Sequence, residues 1–231
     1  MERSHWLRSL CDGNRLHLTE SMRSGEGVLW DFYSSIAIGG FRFEWPLADQ
    51  IILAKQLFPF RTPTQFNLTV SHKSRLWINR AYNDRDAAWH RDTAIRVKKS
   101  TRPSPNEAQD FWLFPGLLLI AYVPQGQKKG VHNGQLFEVL EANDVCVPLR
   151  DVESKEELEL PFELLRDYLR LAYAFTNVGC QGRSLGNFAE DGVPECGLTT
   201  WDTDSPYFTL AHLFTGTSRC RSGALLQAVK K

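Results

Sequence analysis

The sequence predicts an α/β fold: a three-layer domain with a mainly parallel sheet and a small β-rich insertion. Three observations predict it. Strand-like and helix-like stretches alternate near both ends of the chain; between them, past the linker-like TRPSPNEAQ of Thr101–Gln109, the pattern changes to short strands and turns; and 42% of the 231 residues are hydrophobic, enough to bury a sizeable core.

The elements follow in order. RLHLT, at 15–19, reads as a short strand. In EGVLWDFYSSIAIGG the apolar residues Val28, Leu29, Phe32 and Ile36 recur at helical spacing, and Gly39 and Gly40 end the helix. A second helix, LADQIILAKQLF, is stopped by the proline of FRTPTQ. FNLTV alternates as a strand from Phe66 to Val70, Ser71 and His72 form a polar corner, and a helix starts at about Ser74. Strand, loop and helix in this order make an α/β unit, which binds ligands at the carboxyl ends of its strands. From 110 to 165, GLLLIAYVP, the turn KKGVHNGQ, LFEVLEAND and VCVPL spell the β-rich insertion, with Asn and Gly tolerating the positive φ of a hairpin corner. The α/β pattern returns with DYLRLAYAFT as one buried strand, GLTTWDT as another, TLAHLFTGTSRC as a helix and GALLQAV as a last strand. All 231 residues are read as one domain.

Lys and Arg number 27, as do Asp and Glu, so no global basic field announces nucleic acid. The charge is uneven, however: Lys73–Arg102 holds nine basic residues against three Asp, whereas Glu138–Asp167 holds ten acids against three bases. The basic block suits a phosphate backbone, or simply a solvated face. Trp77, Trp89 and Trp112 lie near it and are able to stack on bases, although packing is the commoner use of Trp. Five scattered cysteines without Cys-x-x-Cys spacing argue against a disulfide framework or a zinc site, and fit a reducing compartment. The first residues lack the apolar core of a secretory signal, and the longest apolar run, GLLLIAYV, is too short to span a bilayer. A soluble intracellular protein, in nucleus or cytoplasm and without a membrane partner, is expected.

Two stretches carry the chemistry. In LAYAFTNVGCQGRSL (171–185) a buried-looking strand runs straight into a polar loop, and in HLFTGTSRCRSGALLQAV (212–229) an arginine closes a helix-like segment. The chain contains no G-x-x-x-x-G-K-[ST] loop to cradle nucleotide phosphates, and no Asp-Glu pair ending an apolar strand to hold magnesium. A self-sufficient P-loop ATPase is thereby excluded.

These stretches resemble the C-terminal motor domain of superfamily 1 DNA helicases, in the RecD-like and PIF-type branch. The family's fifth motif, Tyr-Ala-x-Thr-x-His-Lys-x-Gln-Gly-x-Ser/Thr, is matched at Tyr173, Ala174, Thr176, Gln181, Gly182 and Ser184; the sixth, Leu-Tyr-Val-x-x-Ser/Thr-Arg-Ala, at Leu213, Phe214, Ser218 and Arg219. DSPYFTLAHLFTGTSR is similar to the segment that places this helix in PIF-type relatives, NLTVSHKSRLWINRAYN to the strand and helix carrying Ser/Thr-His-x-x-Arg and Ile-Asn, and LHLTESMRS to the fourth motif, ending in Arg23. The resemblance implies a RecA-like lobe that completes an ATP and magnesium site whose phosphate loop belongs to an N-terminal lobe, on another polypeptide or on a missing N-terminal portion. Arg219 and Arg23 would be the arginine fingers, since a guanidinium keeps its charge and meets phosphate oxygens bidentately. Gln181 and Gly182 would bend the chain toward the nucleotide, and Thr176, Asn177, Ser71 and His72 would meet single-stranded DNA. The sequence departs from the family at Val178 and Gly179, which replace His-Lys, and at Cys220, which replaces Ala. The first departure suits a rival reading: a non-catalytic nucleic-acid-binding or interaction protein descended from a helicase. A third reading, an unrelated α/β enzyme using Cys180 or His72, finds no visible partner for either residue.

Overall fold

The computed structural model describes residues 27–100, 108–123, 130–180, 185, 187–188 and 194–228. Its organising element is a four-stranded sheet in the order β13 (Leu226–Ala228), β12 (Leu198–Thr200), β1 (Phe66–Thr69) and β9 (Ala174–Thr176), with every neighbouring pair parallel. Side chains alternate across a strand. Phe66, Leu68, Leu198 and Leu226 therefore share one face, where with Phe175 they meet Leu29, Phe32 and Ile36 of α1 (Val28–Ile36), Ala54 of α2 (Leu47–Leu57) and Leu213 of α5 (Leu210–Thr217). Phe32 and Phe58 meet edge to face at 5.6 Å in this layer.

The opposite face is polar and still buried: Asn67, Thr69, Thr199 and Gln227 are each at most 5% exposed. Buried amides must find partners. Asn67 donates from Nδ2 to the Tyr173 carbonyl at 2.9 Å and accepts at Oδ1 from the Trp201 indole at 2.7 Å. Helix α3 (His72–Ala87) packs on this side against β1 and β9, giving the three layers. Two of its asparagines, one turn apart, act as substitute strand edges. Asn79 Oδ1 accepts from the Ala174 amide of β9 at 2.8 Å, while Asn83 exchanges two bonds, of 2.7 and 2.9 Å, with the backbone of Trp112.

Trp112 belongs to β3 (Phe111–Leu113), which pairs antiparallel with β2 (Ile95–Val97). Beyond it stands a five-stranded antiparallel sheet in the order β7 (Glu157–Pro161), β6 (Cys146–Asp151), β5 (Leu136–Val139), β4 (Leu118–Ala121) and β8 (Leu169–Leu171). The short helix α4 (Phe162–Tyr168) links β7 to β8. These strands enclose a second core, including Phe111, Leu113, Leu119, Phe137, Val147, Leu149, Leu165 and Leu169. Strand β4 serves both cores. Leu119 and Ala121 face the second, while Leu118 and Ile120 pack against the first.

The mixed α/β architecture, parallel sheet and antiparallel insertion agree with the sequence-based expectation, and the antiparallel strands extend from Ile95 to Leu171, either side of the expected 110–165. DYLRLAYAFT differs: it is the end of α4 and then two strands in two sheets, β8 antiparallel to β4 and β9 parallel to β1. The chain crosses between them at Ala172 and Tyr173. There the Tyr173 hydroxyl donates to Asp86 at 2.9 Å, and burial and then the Asp86 charge push its pKa well above the ordinary tyrosine value. A continuous apolar run gives no sign of which partner each half will take. A further pair, β10 (Asn187–Phe188) and β11 (Pro194–Cys196), has no counterpart in the expectations. The strand expected at 15–19 lies outside the described residues. Among the described residues, no helix is long and apolar enough to cross a membrane.

Leu68 is 0% exposed in the middle of β1, and truncating it opens a cavity beneath three helices. In urea unfolding, Leu68→Ala is expected to cost about 2–5 kcal/mol, whereas Val145→Ala, on the exposed surface, should stay within about 0.5 kcal/mol.

Candidate nucleic-acid interface

Three strand ends meet at the carboxyl edge of the parallel sheet. From β1 the chain turns at Val70 and Ser71 into α3. Ser71 is the N-cap, with its hydroxyl accepting from the Ser74 amide at 3.0 Å and donating to the Ser74 hydroxyl at 2.9 Å. This satisfies one first-turn amide of the helix. His72 is the first helical residue and is exposed.

From β12 comes Trp201, whose amide continues the ladder to the Leu68 carbonyl at 2.8 Å, and then Asp202. Asp202 has φ 58°, the left-handed region that Asp tolerates better than most residues. That turn aims its carboxylate across the edge: Oδ2 accepts from the amides of Val70 at 3.1 Å and Ser71 at 3.4 Å, and Oδ1 from the Ser74 hydroxyl at 2.9 Å. Sequence reasoning missed Asp202. The expected strand GLTTWDT ran through it, whereas the strand ends at Thr200 and the turn-forming DTDSP beyond is the signal that marks the turn.

From β9 come Thr176 and Asn177. The Thr69 carbonyl, at the end of β1, accepts both from the Asn177 amide and from its Nδ2, each at 3.2 Å. Asn177 is 6% exposed, and its Oδ1 has no hydrogen-bond partner among the described residues. Thr176 Oγ1 accepts from the Gly179 amide at 3.3 Å, which closes the turn; the hydroxyl keeps its own donor capacity, with no acceptor among the described residues. Val178, on the same turn, is 74% exposed where the family pattern has a basic residue.

The structure thus gathers four of the sequence-predicted site residues, Ser71, His72, Thr176 and Asn177, on one edge. Arg219 stands elsewhere, in the turn after α5. That helix opens with a capping box between Thr209 and His212, and the Arg219 amide bonds to the Gly216 carbonyl at 3.3 Å. Arg219 is half-buried; its guanidinium lies 3.3 Å from Ser218 Oγ, and its carbonyl accepts from the Leu185 amide at 2.8 Å. This last bond ties the segment after the β9 loop to the end of α5, so the two motif-bearing stretches meet in space. Arg23, Gln181 and Gly182 lie outside the described residues. Cys180 is 0% exposed and its thiol lies 3.1 Å from the Asn177 carbonyl, a packing role that removes it as an accessible nucleophile. Among the described residues, no group of His, Cys, Asp or Glu is placed to hold a metal ion.

No family model and no curated protein matches the sequence. Solved structures do match. A structure concerned with DNA unwinding at forked duplex DNA by two coordinating Pif1 helicases superposes with a TM-score of 0.63 at 16% identity, covering 90% of this chain and 48% of that one. The fold is that of part of a Pif1 helicase. The Bacteroides Pif1 helicase in complex with ADP-AlF3 and single-stranded DNA gives a TM-score of 0.61 at 16% identity, over 93% of this chain and 52% of that one. Bacteroides Pif1 bound to single-stranded DNA gives 0.52 at 16% identity, over 78% and 45%. The chain spans about half the length of the Pif1 structures that it matches, and at this identity the likeness to Pif1 is one of fold.

Asp202 is the keystone of the edge, and its substitution separates geometry from hydrogen bonding. Asp202→Asn keeps a residue that tolerates positive φ and one acceptor oxygen, whereas Asp202→Ala strains the turn and strands two amides and a hydroxyl. In thermal or urea unfolding, Asp202→Ala should lose about 1–3 kcal/mol and Asp202→Asn distinctly less. Equal losses would contradict the assigned role.

Proposed function

We propose that this chain is the second motor lobe of an ATP-dependent DNA helicase, grips single-stranded DNA at the carboxyl edge of its parallel sheet, and contributes a guanidinium to an ATP site completed by another lobe. The observation that carries the reading is the convergence of Ser71, His72, Thr176 and Asn177 on that edge, in a fold shared with Pif1 helicases over about half their length.

The polar groups suit a phosphodiester backbone. Thr176 offers a hydroxyl proton, the first turn of α3 offers backbone amides, and His72 stands exposed beside them. Because the Ser71 hydroxyl is engaged with Ser74, its part is to aim that first turn at the strand. Asn177 holds the β9 loop against β1, so movement of the loop and of the helix start are mechanically joined.

ATP, when bound, supplies the phosphoanhydride whose hydrolysis drives stepping. This chain's part in that chemistry would be electrostatic: Arg219, with Arg23 as a second guanidinium, would stabilise the charge of the transferring phosphoryl group, and Gln181 and Gly182 would serve the nucleotide side of the site. Magnesium and the phosphate cradle would be held by the other lobe. The chain alone would not hydrolyse ATP.

A second reading, a non-catalytic DNA-binding descendant of a helicase, is favoured by one observation: the exposed Val178, beside Gly179, where a basic pair would couple the strand to the motor. One experiment separates the two. The chain is mixed with a Pif1-type N-terminal lobe, and DNA-stimulated ATP hydrolysis is measured alongside oligonucleotide binding. The motor reading expects restored hydrolysis that Arg219→Ala lowers by about three to five powers of ten while DNA binding persists. Restored hydrolysis indifferent to Arg219→Ala would refute the finger, and DNA binding without hydrolysis in the unsubstituted mixture would favour the second reading.

A further inference from the structure

Lys73, Trp77 and Arg80 follow one another at four- and three-residue steps along α3, and all three are exposed, so they form one solvent-facing stripe. The stripe begins beside His72 at the sheet edge. It leads into a groove between α3 and the β2–β3 pair, whose lining includes Trp77, Arg80, Arg96, Lys99 and Asp110. Trp77 is 61% exposed, far more than a large aromatic needs if it only packs. Its ring meets Trp201 edge to face at 6.3 Å, and Trp201 is itself pinned by its indole bond to the buried Asn67. An indole held by its neighbour in this way is oriented in advance and keeps a wide surface open to solvent. On the facing wall, Arg96 is fixed over the Trp112 ring at 4.9 Å.

Among the described residues, the carboxylate partners of these cations are surface ones. Arg80 lies 3.7 Å from Asp84 and Arg96 lies 3.5 Å from Asp110, on the surface in both cases. Exposed pairs of this kind contribute little and exchange readily for a phosphate. Asp110 is also engaged with the Lys99 amide at 2.9 Å, so one of its carboxylate oxygens is already taken up by the backbone.

We propose that this groove is a base-stacking extension of the single-strand site: a nucleobase lies on the exposed face of Trp77, and the phosphates flanking it run between Lys73, Arg80, Arg96 and Lys99. The proposal rests on the single-stranded DNA reading given above and adds a second contact, along α3 toward the antiparallel insertion. Stacking needs a base, and it needs the base unpaired. Duplex DNA, attracted by charge alone, would ignore Trp77.

The test uses the full chain and two labelled oligonucleotides of about 16 residues, one of thymidines and one abasic, in fluorescence anisotropy at low salt. Trp77→Ala should weaken binding of the thymidine oligonucleotide about 5- to 100-fold and leave the abasic one unchanged, and Trp77→Phe should recover most of the loss. Combined replacement of Arg80, Arg96 and Lys99 by Gln should weaken both oligonucleotides and flatten the salt dependence. If Trp77→Ala binds the thymidine oligonucleotide like the unsubstituted chain, or if both oligonucleotides weaken equally, the stacking site is refuted while the strand-binding edge survives. If the unsubstituted chain binds neither oligonucleotide, the strand-binding reading fails and this extension fails with it.

Discussion

Asp202 accepts an uncommon backbone conformation, and in return its carboxylate gathers the amides of Val70 and Ser71 and the hydroxyl of Ser74. Through those three bonds the end of β12 fixes the end of β1 and the first turn of α3. On the other side of β1, Asn177 does the same for β9 by bonding twice to the Thr69 carbonyl. Strands that are 100 residues and more apart in sequence are thus locked at a common edge by side chains rather than by the ladder alone. Each bond is short-range and geometrically demanding, so the edge is presented as a preformed surface whose donors need no rearrangement before meeting a ligand.

The two cores give that edge its setting. One core, beneath α1, α2 and α5, is apolar and holds the parallel sheet; the other fills the antiparallel insertion. Helix α3 and strand β4 belong to both neighbourhoods. Asn79 and Asn83 of α3 reach β9 and β3 respectively, and β4 turns alternate side chains to each core. The insertion is therefore attached along a length of structure, and the groove beside Trp77 lies between α3 and the β2–β3 pair. A strand contact of the kind proposed at His72 would continue along α3 into that groove.

Much of this was legible in the sequence because periodicity and punctuation agreed. Leu29, Phe32 and Ile36 mark α1 by spacing, Pro63 separates α2 from β1, and Ser71 with Ser74 announces the start of α3, earlier by two residues than expected. Ser71, His72, Thr176 and Asn177 were legible as a group through motif order, and the strand ends bring them together. What escaped was what depends on partners distant in the chain. Asn67 and Thr69 are the polar positions of the alternating strand, and alternation alone does not say that they are buried and satisfied by Tyr173, Trp201 and Phe175. The split of DYLRLAYAFT between two sheets was invisible because both halves are apolar and short. Asp202 was hidden for the same reason: a turn residue declares its local φ, whereas the amides it captures are more than 130 residues away.

The most direct test of the central claim, that the carboxyl edge of the parallel sheet is the strand-binding face, is amide hydrogen exchange with and without a saturating single-stranded oligonucleotide. The account predicts slowed exchange in residues 70–77 and 176–180, with 146–161 of the antiparallel insertion unchanged. Protection confined to β6 and β7, with the α3 start and the β9 loop exchanging as in the free chain, would contradict it.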